Sequence, residues 1–534
     1  MVQREISGIT AKIPRNVEIL ILVGIFILSS SLMLYQLDQK SPFVDESYTI
    51  ALAQQTPEYI INYGMYVDIH PPMQHLPLHY YQELVGDSGV FASRMLYVIF
   101  GLLSIICFYP MIRYLLDRNV ALLSTFLFSI SPFLIMYSRM ARYYSLVLFL
   151  SIIAYYLFFR ILSQKSWNRK IDYLLLFLVS SVLLYTYIPG VAVVITQMCY
   201  LGYFEWKNKV TGKNFDIISV IVKWKYLVIA WIAAGLLFLP WAIGMYLAHP
   251  AGIVASLAVI NSYVQFPLRF LLPFYVYAIG ATMYPWTWYG VLGLLTFFGL
   301  FMYAVYHFFK EKEFGLLLLF IVPLFVTNCI LQVLNTSFID LPHRAIFTLP
   351  FFIAIIGYAI SRIKINYLKI SVIIIIILIS GISISNYYSD KEFIDSMYIV
   401  PAKEIVADLQ ANLTPSDVVI TQGSTSVGYY WTRSSNFLSA IPIYTIYYDT
   451  PAILEKINAA NSSRYILLIE NTDTHEEFVK EWSIITKELV TRGYSQEAQV
   501  NYVPTDPTYK KFKEFVLKRP TFGYRLEEKI FSKT

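Results

Sequence analysis

Long apolar runs separated by short polar stretches fill the chain as far as residue 389, after which the apolar segments become short and alternate with polar ones. A helix needs about 20 mostly apolar residues to cross a hydrocarbon layer of about 30 Å. Eleven such runs are expected as spans: residues 17–37, 90–112, 120–137, 145–163, 171–187, 188–204, 226–247, 286–309, 315–334, 343–361 and 370–387. The first lacks a small-residue cleavage site and is followed by further spans, so it reads as a retained helix rather than a signal peptide. A twelfth apolar run, Phe266–Tyr284, carries Pro267 and Pro273 and leaves no room for a cytoplasmic loop before the next span. It is expected to be re-entrant or interfacial on the outer side, where broken backbone is tolerated if protein covers it.

Beyond residue 389 the period changes. "PAKEIVADLQANL" (401–413) predicts an amphipathic helix, "DVVITQ" (417–422) a buried strand and "SVGYYWTRS" a helix. Strands follow at "IPIYTIYY" (441–448) and "RYILLIE" (464–470), with helices near 451–460 and 474–492. Strands alternating with helices imply a small three-layer parallel sheet. No glycine-rich phosphate fingerprint stands at the strand ends. The expected fold is therefore a polytopic α-helical membrane protein of about 11 spans (1–389) with a C-terminal extracytoplasmic α/β domain (390–534).

Composition and charge sharpen this division. The 534 residues are 57% hydrophobic and 14% charged, with a mean hydropathy of +0.56, which excludes a disordered chain and a purely water-soluble enzyme. The 145 residues from 390 onward hold 35 charged groups, against 41 in the far longer membrane part. With the N-terminus inside, alternation of the eleven spans puts 19 Lys and Arg residues in cytoplasmic loops and helix ends, and six outside: Lys40, Arg94, Arg139, Arg142, Arg269 and Arg344. That bias places the C-terminal domain outside. The net charge of +6 is too diffuse to suggest nucleic acid, and Cys107, Cys199 and Cys329 all sit in apolar runs that imply no disulfide framework.

Candidate chemistry gathers on the outer side. The first outer loop, residues 38–89, is long, and long loops carry function disproportionately. "SPFVDESY" sets the adjacent carboxylates Asp45 and Glu46 just beyond the first span, where partial burial would suit one of them to take a proton from a hydroxyl. The residues alone equally allow a solvated helix end. "DIHPPMQHLPLHYY" (68–81) presents His70 on a proline-stiffened turn, with His75 and His79 nearby. Its spacing matches no familiar zinc pattern, so hydrogen bonding within the loop is expected and a divalent metal is left open. Arg94 opens the second span, Arg139 and Arg142 lie in "YSRMARYYSL" (137–146), and Arg344 in "DLPHRAIFTLP" (340–350). Arginines beside spans are costly and fit phosphate oxygens in a planar fork, although snorkelling to lipid phosphates or pairing with the loop acids would also account for each of them. "YPWTWYG" (284–290) reads as interfacial aromatic belt. Asn335, Asn412 and Asn461 stand in Asn-x-Ser/Thr triplets on the outer side.

Taken in order, "VDESY", the "HPP" turn, an Arg opening the second span, "ARYYSL", a late "HRAIFTLP" and an outer C-terminal domain resemble the GT-C superfamily of polyprenyl-phosphate-sugar-dependent glycosyltransferases. Within it the chain is similar to the branch of protein O-mannosyltransferases and the aminoarabinose transferase of lipid A. The resemblance implies transfer of one sugar, with inversion, from a lipid-phosphate donor to a lipid, glycan or protein hydroxyl. It gives Asp45 as general base with Glu46 beside it, Arg94 and Arg142 as holders of the donor phosphate, and His70 as the histidine that orders the loop or meets the acceptor. Arg344 matches less closely, since Ala345 stands where the family has tyrosine. The metal-dependent oligosaccharyltransferase branch carries a Trp-Trp-Asp motif where this chain has "TWYG", so a metal-independent enzyme of the plasma membrane without cofactor is expected. The competing readings are a ligase for lipid-linked glycans, a transporter or flippase of lipid-linked sugars, which would call for acids inside the spans, and a glycan-binding scaffold without catalysis.

Overall fold

The computed structural model describes residues 14–533 other than 67–69, 164–167, 210–216, 249–265, 334–341, 395, 415, 423–442 apart from 427 and 430, 447–449, 461, 473–475, and 503–523 apart from 507. Asp68, Asn335, Asn461 and most of the helix expected at "SVGYYWTRS" lie outside the described residues. The chain divides into two compact units, one of Met1–Tyr35 with Ala53–Ser389, the other of Gln36–Leu52 with Asp390–Thr534. Residues 36–52, assigned from sequence to the outer loop of the membrane part, thus group with the C-terminal region.

The first unit is helical, and a helix occupies each of the eleven runs. Among the described residues eight helices are long and apolar enough to cross a membrane, and a bent pair brings the number to nine. Arg169–Thr186 starts with Arg169, Lys170 and Asp172, and Gly315–Val333 is shorter in its apolar part, so neither adds to that number. Tyr144–Leu162 and the segment His343–Arg362 are 78% and 89% buried and form the centre. Arg15–Leu34, Lys225–Ala248, Trp288–Glu311 and Asn366–Tyr388 bury less than a third of theirs and present apolar side chains outward, as lipid-facing helices do. The run expected as one span at 120–137 is broken: Arg118–Ser129 and Pro132–Ser138 meet at 54°. Ser131 caps the second piece by accepting from the Leu134 amide, and Pro132 fits the first helical position, where no amide bond is lost. Phe266–Ile279 has 14 residues, about 21 Å of helix, too short to span alone.

Ion pairs join neighbouring helices near their ends, Arg160 to Asp172 at 3.1 Å, Lys223 to Glu205 at 2.7 Å, and Arg362 to Glu311 at 2.7 Å. Glu18 is bonded to both Arg118 and Tyr109.

The second unit is built on five strands: β1 (Asp417–Gln422), β2 (Ile443–Ile446), β3 (Arg464–Thr472), β4 (Tyr494–Asn501) and β5 (Tyr524–Lys533), in the order β2-β1-β3-β5-β4. Alternate residues point to opposite faces. Val419, Ile466 and Leu468 meet Ile405 and Leu409 of helix Ala402–Asn412, while Val418, Ile420 and Leu467 meet Trp482, Ile485 and Leu489 of helix Glu476–Thr491. The three layers are as expected, but the sheet is mixed rather than parallel. β1 runs parallel to β2 and β3, whereas β5 is antiparallel to β3 and β4. Strands buried on both faces read as continuous apolar runs, and β1 and β3 do so. β4, "YSQEAQVN", buries only Tyr494 fully and shows no such signal.

Candidate functional site

Residues 139–143 form the turn between Pro132–Ser138 and Tyr144–Leu162, and its two arginines do different work. Arg139 is fully buried. Its Nη1 donates to the carbonyls of Leu32 at 3.3 Å, Met33 at 2.8 Å and Tyr35 at 2.6 Å. These are carbonyls at the end of Arg15–Leu34, left without a following turn, and a cation there also meets the negative end of the helix dipole. The Tyr387 hydroxyl lies 3.4 Å from Arg139 Nε, and the guanidinium sits 5.0 Å from the Tyr388 ring centre. Arg142, three residues on, is buried with its guanidinium 5.3 Å from the centre of the Tyr143 ring.

Arg142 belongs to an aromatic cluster. His343 stands 4.5 Å from Tyr144 and 5.2 Å from Tyr137, ring centre to ring centre, and one of its ring nitrogens lies 3.3 Å from the Tyr137 hydroxyl. Both Arg142 and Arg344 are close enough to His343 to act on it electrostatically. The Tyr187 hydroxyl donates to the Arg344 carbonyl at 2.9 Å, and its ring lies 5.4 Å from Tyr143. One residue further, the Ala345 carbonyl accepts from Tyr277 at 2.7 Å and from Thr348 at 2.8 Å. The Pro342–Thr348 segment is a 3-10 helix kinked at Ala345, and these tyrosines hold it in place. Two arginines from separate segments therefore lie near one histidine, in a frame of five tyrosines.

Hydrogen bonds link this cluster to the other arginine-bearing span. Ser145, at the start of Tyr144–Leu162, donates to the Tyr97 carbonyl at 2.8 Å, and the Tyr97 hydroxyl reaches the Gln74 carbonyl at 3.4 Å. Tyr97 lies one turn beyond Arg94, which is buried in the first turns of Val90–Ile112. Gln74 closes the "HPP" turn: Pro71 and Pro72 are buried, Pro72–Gln74 is a 3-10 helix, and His70 is half-buried. A Cβ at Gly64 would come within 2.5 Å of the His70 carbonyl oxygen, so a glycine is needed where helix Pro57–Tyr66 meets the turn. His79 lies 2.9 Å from the Ala53 carbonyl and also faces Glu83.

Asp45 and Glu46 occupy the second unit, in the first turn of helix Val44–Leu52. Glu46 is buried and Asp45 half-buried. The preceding residue, Val44, packs on the core of Ile405, Val419 and Leu468. Upstream, Lys40 pairs with Asp390, Ser41 accepts from the Lys403 amide at 3.0 Å, and the Phe43 ring meets Tyr398 at 4.9 Å.

The structure thus brings Arg142 and Arg344 together, ties the segments of Arg94 and His70 to them, and turns Arg139 inward to cap a helix. The sequence reading missed His343 and the tyrosines 137, 144, 187 and 277. "PHR" and "RYY" carried the signal for some of them, but an aromatic in a tyrosine-rich membrane chain reads as packing. Among the described residues no group of three or more His, Cys, Asp or Glu is placed to hold a metal ion.

The chain shares its fold with membrane proteins of solved structure. The apo structure of ArnT from Cupriavidus metallidurans matches with a TM-score of 0.50 at 11% identity, covering 96% of this chain and 98% of that one. The Archaeoglobus fulgidus oligosaccharyltransferase in complex with Zn and sulfate matches with a TM-score of 0.45 at 12% identity, covering 94% and 72%. The protein O-mannosyltransferase Pmt1-Pmt2 complex of S. cerevisiae gives 0.34 at 18% identity, covering 44% and 34%. The family model described as dolichyl-phosphate-mannose-protein mannosyltransferase matches residues 69–222, from the "HPP" turn through the Arg142 turn. No curated protein matches the sequence.

Proposed function

We propose that the protein moves a single sugar, with inversion, from a polyprenyl-phosphate-linked donor to an acceptor hydroxyl at the outer face of the plasma membrane. Arg142 and Arg344, with Arg94, hold the donor phosphate. Asp45 accepts the proton of the acceptor hydroxyl, whose oxygen attacks the anomeric carbon from the side opposite the phosphate. The carbon–oxygen bond to phosphate then breaks, and the lipid phosphate leaves with the bonding electrons. Glu46 positions the acceptor or shares the proton, and His70 orders its turn or meets the acceptor. Such a leaving group needs charge neutralisation more than a proton, which guanidinium groups supply without a metal. The acceptor is a protein, lipid or glycan hydroxyl.

The observation that carries this reading is the presence of two arginines, the buried Arg142 and the half-buried Arg344, near His343 within a tyrosine frame. Two like charges drawn together in a membrane unit favour an anion between them. The family match over residues 69–222 spans the Arg94 and Arg142 segments. Orientation is supported by the bias of 19 basic residues inside against six outside, which sets the N-terminus in the cytoplasm and the C-terminal domain outside.

The test is turnover by the purified chain in liposomes with radiolabelled polyprenyl-phosphate mannose or glucose. Asp45→Asn is expected to lower kcat by about 10²-fold or more, the usual worth of a general base. Undiminished turnover by Asp45→Asn would exclude this mechanism.

A further inference from the structure

At the end of the membrane unit opposite the Arg142 turn, a short helix shows an apolar face that the protein leaves exposed. Helix Val191–Lys209 starts just beyond Tyr187, which bonds the Arg344 carbonyl, and reaches Glu205 about 21 Å further along. There the buried Glu205 accepts from Lys223 at 2.7 Å and from the Trp224 indole at 3.0 Å, which fixes the junction between helices Ile217–Lys223 and Lys225–Ala248. At about 100° per residue, Ile217, Ile218, Ile221 and Val222 fall within one arc of about 140°, while Ser219 and Lys223 lie on the other side. Val220 is the buried edge between them, and the four aliphatic side chains are 47–68% exposed.

Helix Lys225–Ala248, with 24 residues and about 36 Å of length, already covers the hydrocarbon layer. Lys223 and Lys225 at its start mark the level of the headgroups, as do the exposed rings of Trp206 and Tyr226. Helix Ile217–Lys223 therefore finds no room in the membrane as a continuation of that span, and pointing into water it would strand its four aliphatic side chains. Lying along the surface suits each side of it, with the aliphatic arc in the acyl boundary and Ser219 and Lys223 turned to water.

We infer that helix Ile217–Lys223 is an interfacial anchor for anionic phospholipid, on the face of the membrane opposite the Arg142 turn. The inference is independent of the sugar-transfer reading. Charge decides the lipid. Lys207 is matched by Glu313 and Lys223 by Glu205, whereas Lys225 and Lys310 lie over the Tyr226 and Tyr306 rings, 5.2 and 5.9 Å from their centres. A lysine held over a ring at headgroup level keeps its charge for a lipid phosphate. A leaflet of phosphatidylglycerol thus holds the helix more firmly than one of zwitterionic phosphatidylcholine.

The experiment places a spin label at Ile221→Cys or at Ser219→Cys, in the full chain carrying Cys107→Ala, Cys199→Ala and Cys329→Ala, in vesicles of phosphatidylglycerol. The label at 221 is expected to meet dissolved oxygen more than an aqueous nickel complex, and the label at 219 the reverse. Hydrogen exchange of the wild-type chain needs no label and keeps the test open if the cysteine variants do not fold. Amides of residues 217–223 should exchange more slowly in phosphatidylglycerol than in phosphatidylcholine, while those of helix Tyr144–Leu162 do not change. Lys225→Gln is expected to reduce the ratio between the two lipids about fivefold, the weight of one lysine at an anionic surface, and high salt to reduce it as well. A label at 221 that meets nickel as readily as the label at 219 would overturn the anchor. So would one shielded from both reagents, since protein would then cover the face. Equal exchange in the two lipids, or a ratio that Lys225→Gln leaves intact, would overturn the choice of an anionic lipid.

Discussion

The cationic and acidic halves of the proposed chemistry stand on different kinds of core. In the membrane unit the Arg142 guanidinium lies over the Tyr143 ring, Tyr143 meets Tyr187, and the Tyr187 hydroxyl holds the backbone of Arg344. In the second unit Asp45 and Glu46 ride on a nine-residue helix attached through Val44 to a water-soluble sheet. The first arrangement rests on ring packing and on a tethered backbone. The second is only as firm as the apolar core beneath it. The two halves should therefore respond to different mutations.

The largest separation is expected from Leu468→Ala. Leu468 is fully buried in β3, in the core on which Val44 packs, and removing its side chain costs about 2–5 kcal/mol of the stability of that unit. Hydrogen exchange should rise across the sheet and across residues 36–52, kcat should fall, and donor KM should hold. Continued protection of residues 36–52 in a folded Leu468→Ala protein would show that the acid helix does not depend on this core, and the contrast between the units would fail.

This contrast also explains what could be read from the chain. Helical spans were legible because a single physical requirement, about 20 apolar residues, sets them. β1 and β3 were legible as buried strands for a similar reason, and the helices at 402–412, 450–460 and 476–491 by their apolar spacing. β4 and β5 were not: their burial comes from pairing at Ala498 with Ile530 and Gln499 with Lys529, a long-range event with no local period. The break at Ile130–Ser131 had its signal in Ser131-Pro132, which lies inside an apolar run and was read as span. Among the site residues, Arg142 and Arg344 stood out because charge is rare in such a chain. His343 and its tyrosines did not, since their role follows from distances between loops. Arg139 and Arg142 look alike in sequence, and only the carbonyls around Arg139 separate them.

An intermediate effect should come from Gly64→Ala, which acts on the first unit alone. The added Cβ would meet the His70 carbonyl oxygen at 2.5 Å, backbone that cannot yield as a side-chain end would. Relief requires the "HPP" turn to shift, at about 1–3 kcal/mol. Exchange should rise at residues 70–76, and kcat/KM should fall while residues 36–52 stay protected. A loss of protection at 36–52 would mean that the two units are not separable by this route.

The smallest expected effect is the sharpest probe of the cationic side. Tyr187→Phe keeps the ring against Tyr143 and removes only the donor to the Arg344 carbonyl. A buried neutral hydrogen bond is worth about 1 kcal/mol, so donor KM should rise about fivefold if that bond aims the Arg344 guanidinium. The adjoining carbonyl, that of Ala345, keeps its own bonds to Tyr277 and Thr348, so the 3-10 segment itself should hold and thermal stability should fall by no more than the bond. A rise in donor KM without a change in kcat would assign Tyr187 to aiming Arg344 at the phosphate. An unchanged KM with lowered stability would make Tyr187 a strut for the segment and leave Arg142 as the principal cation of the site.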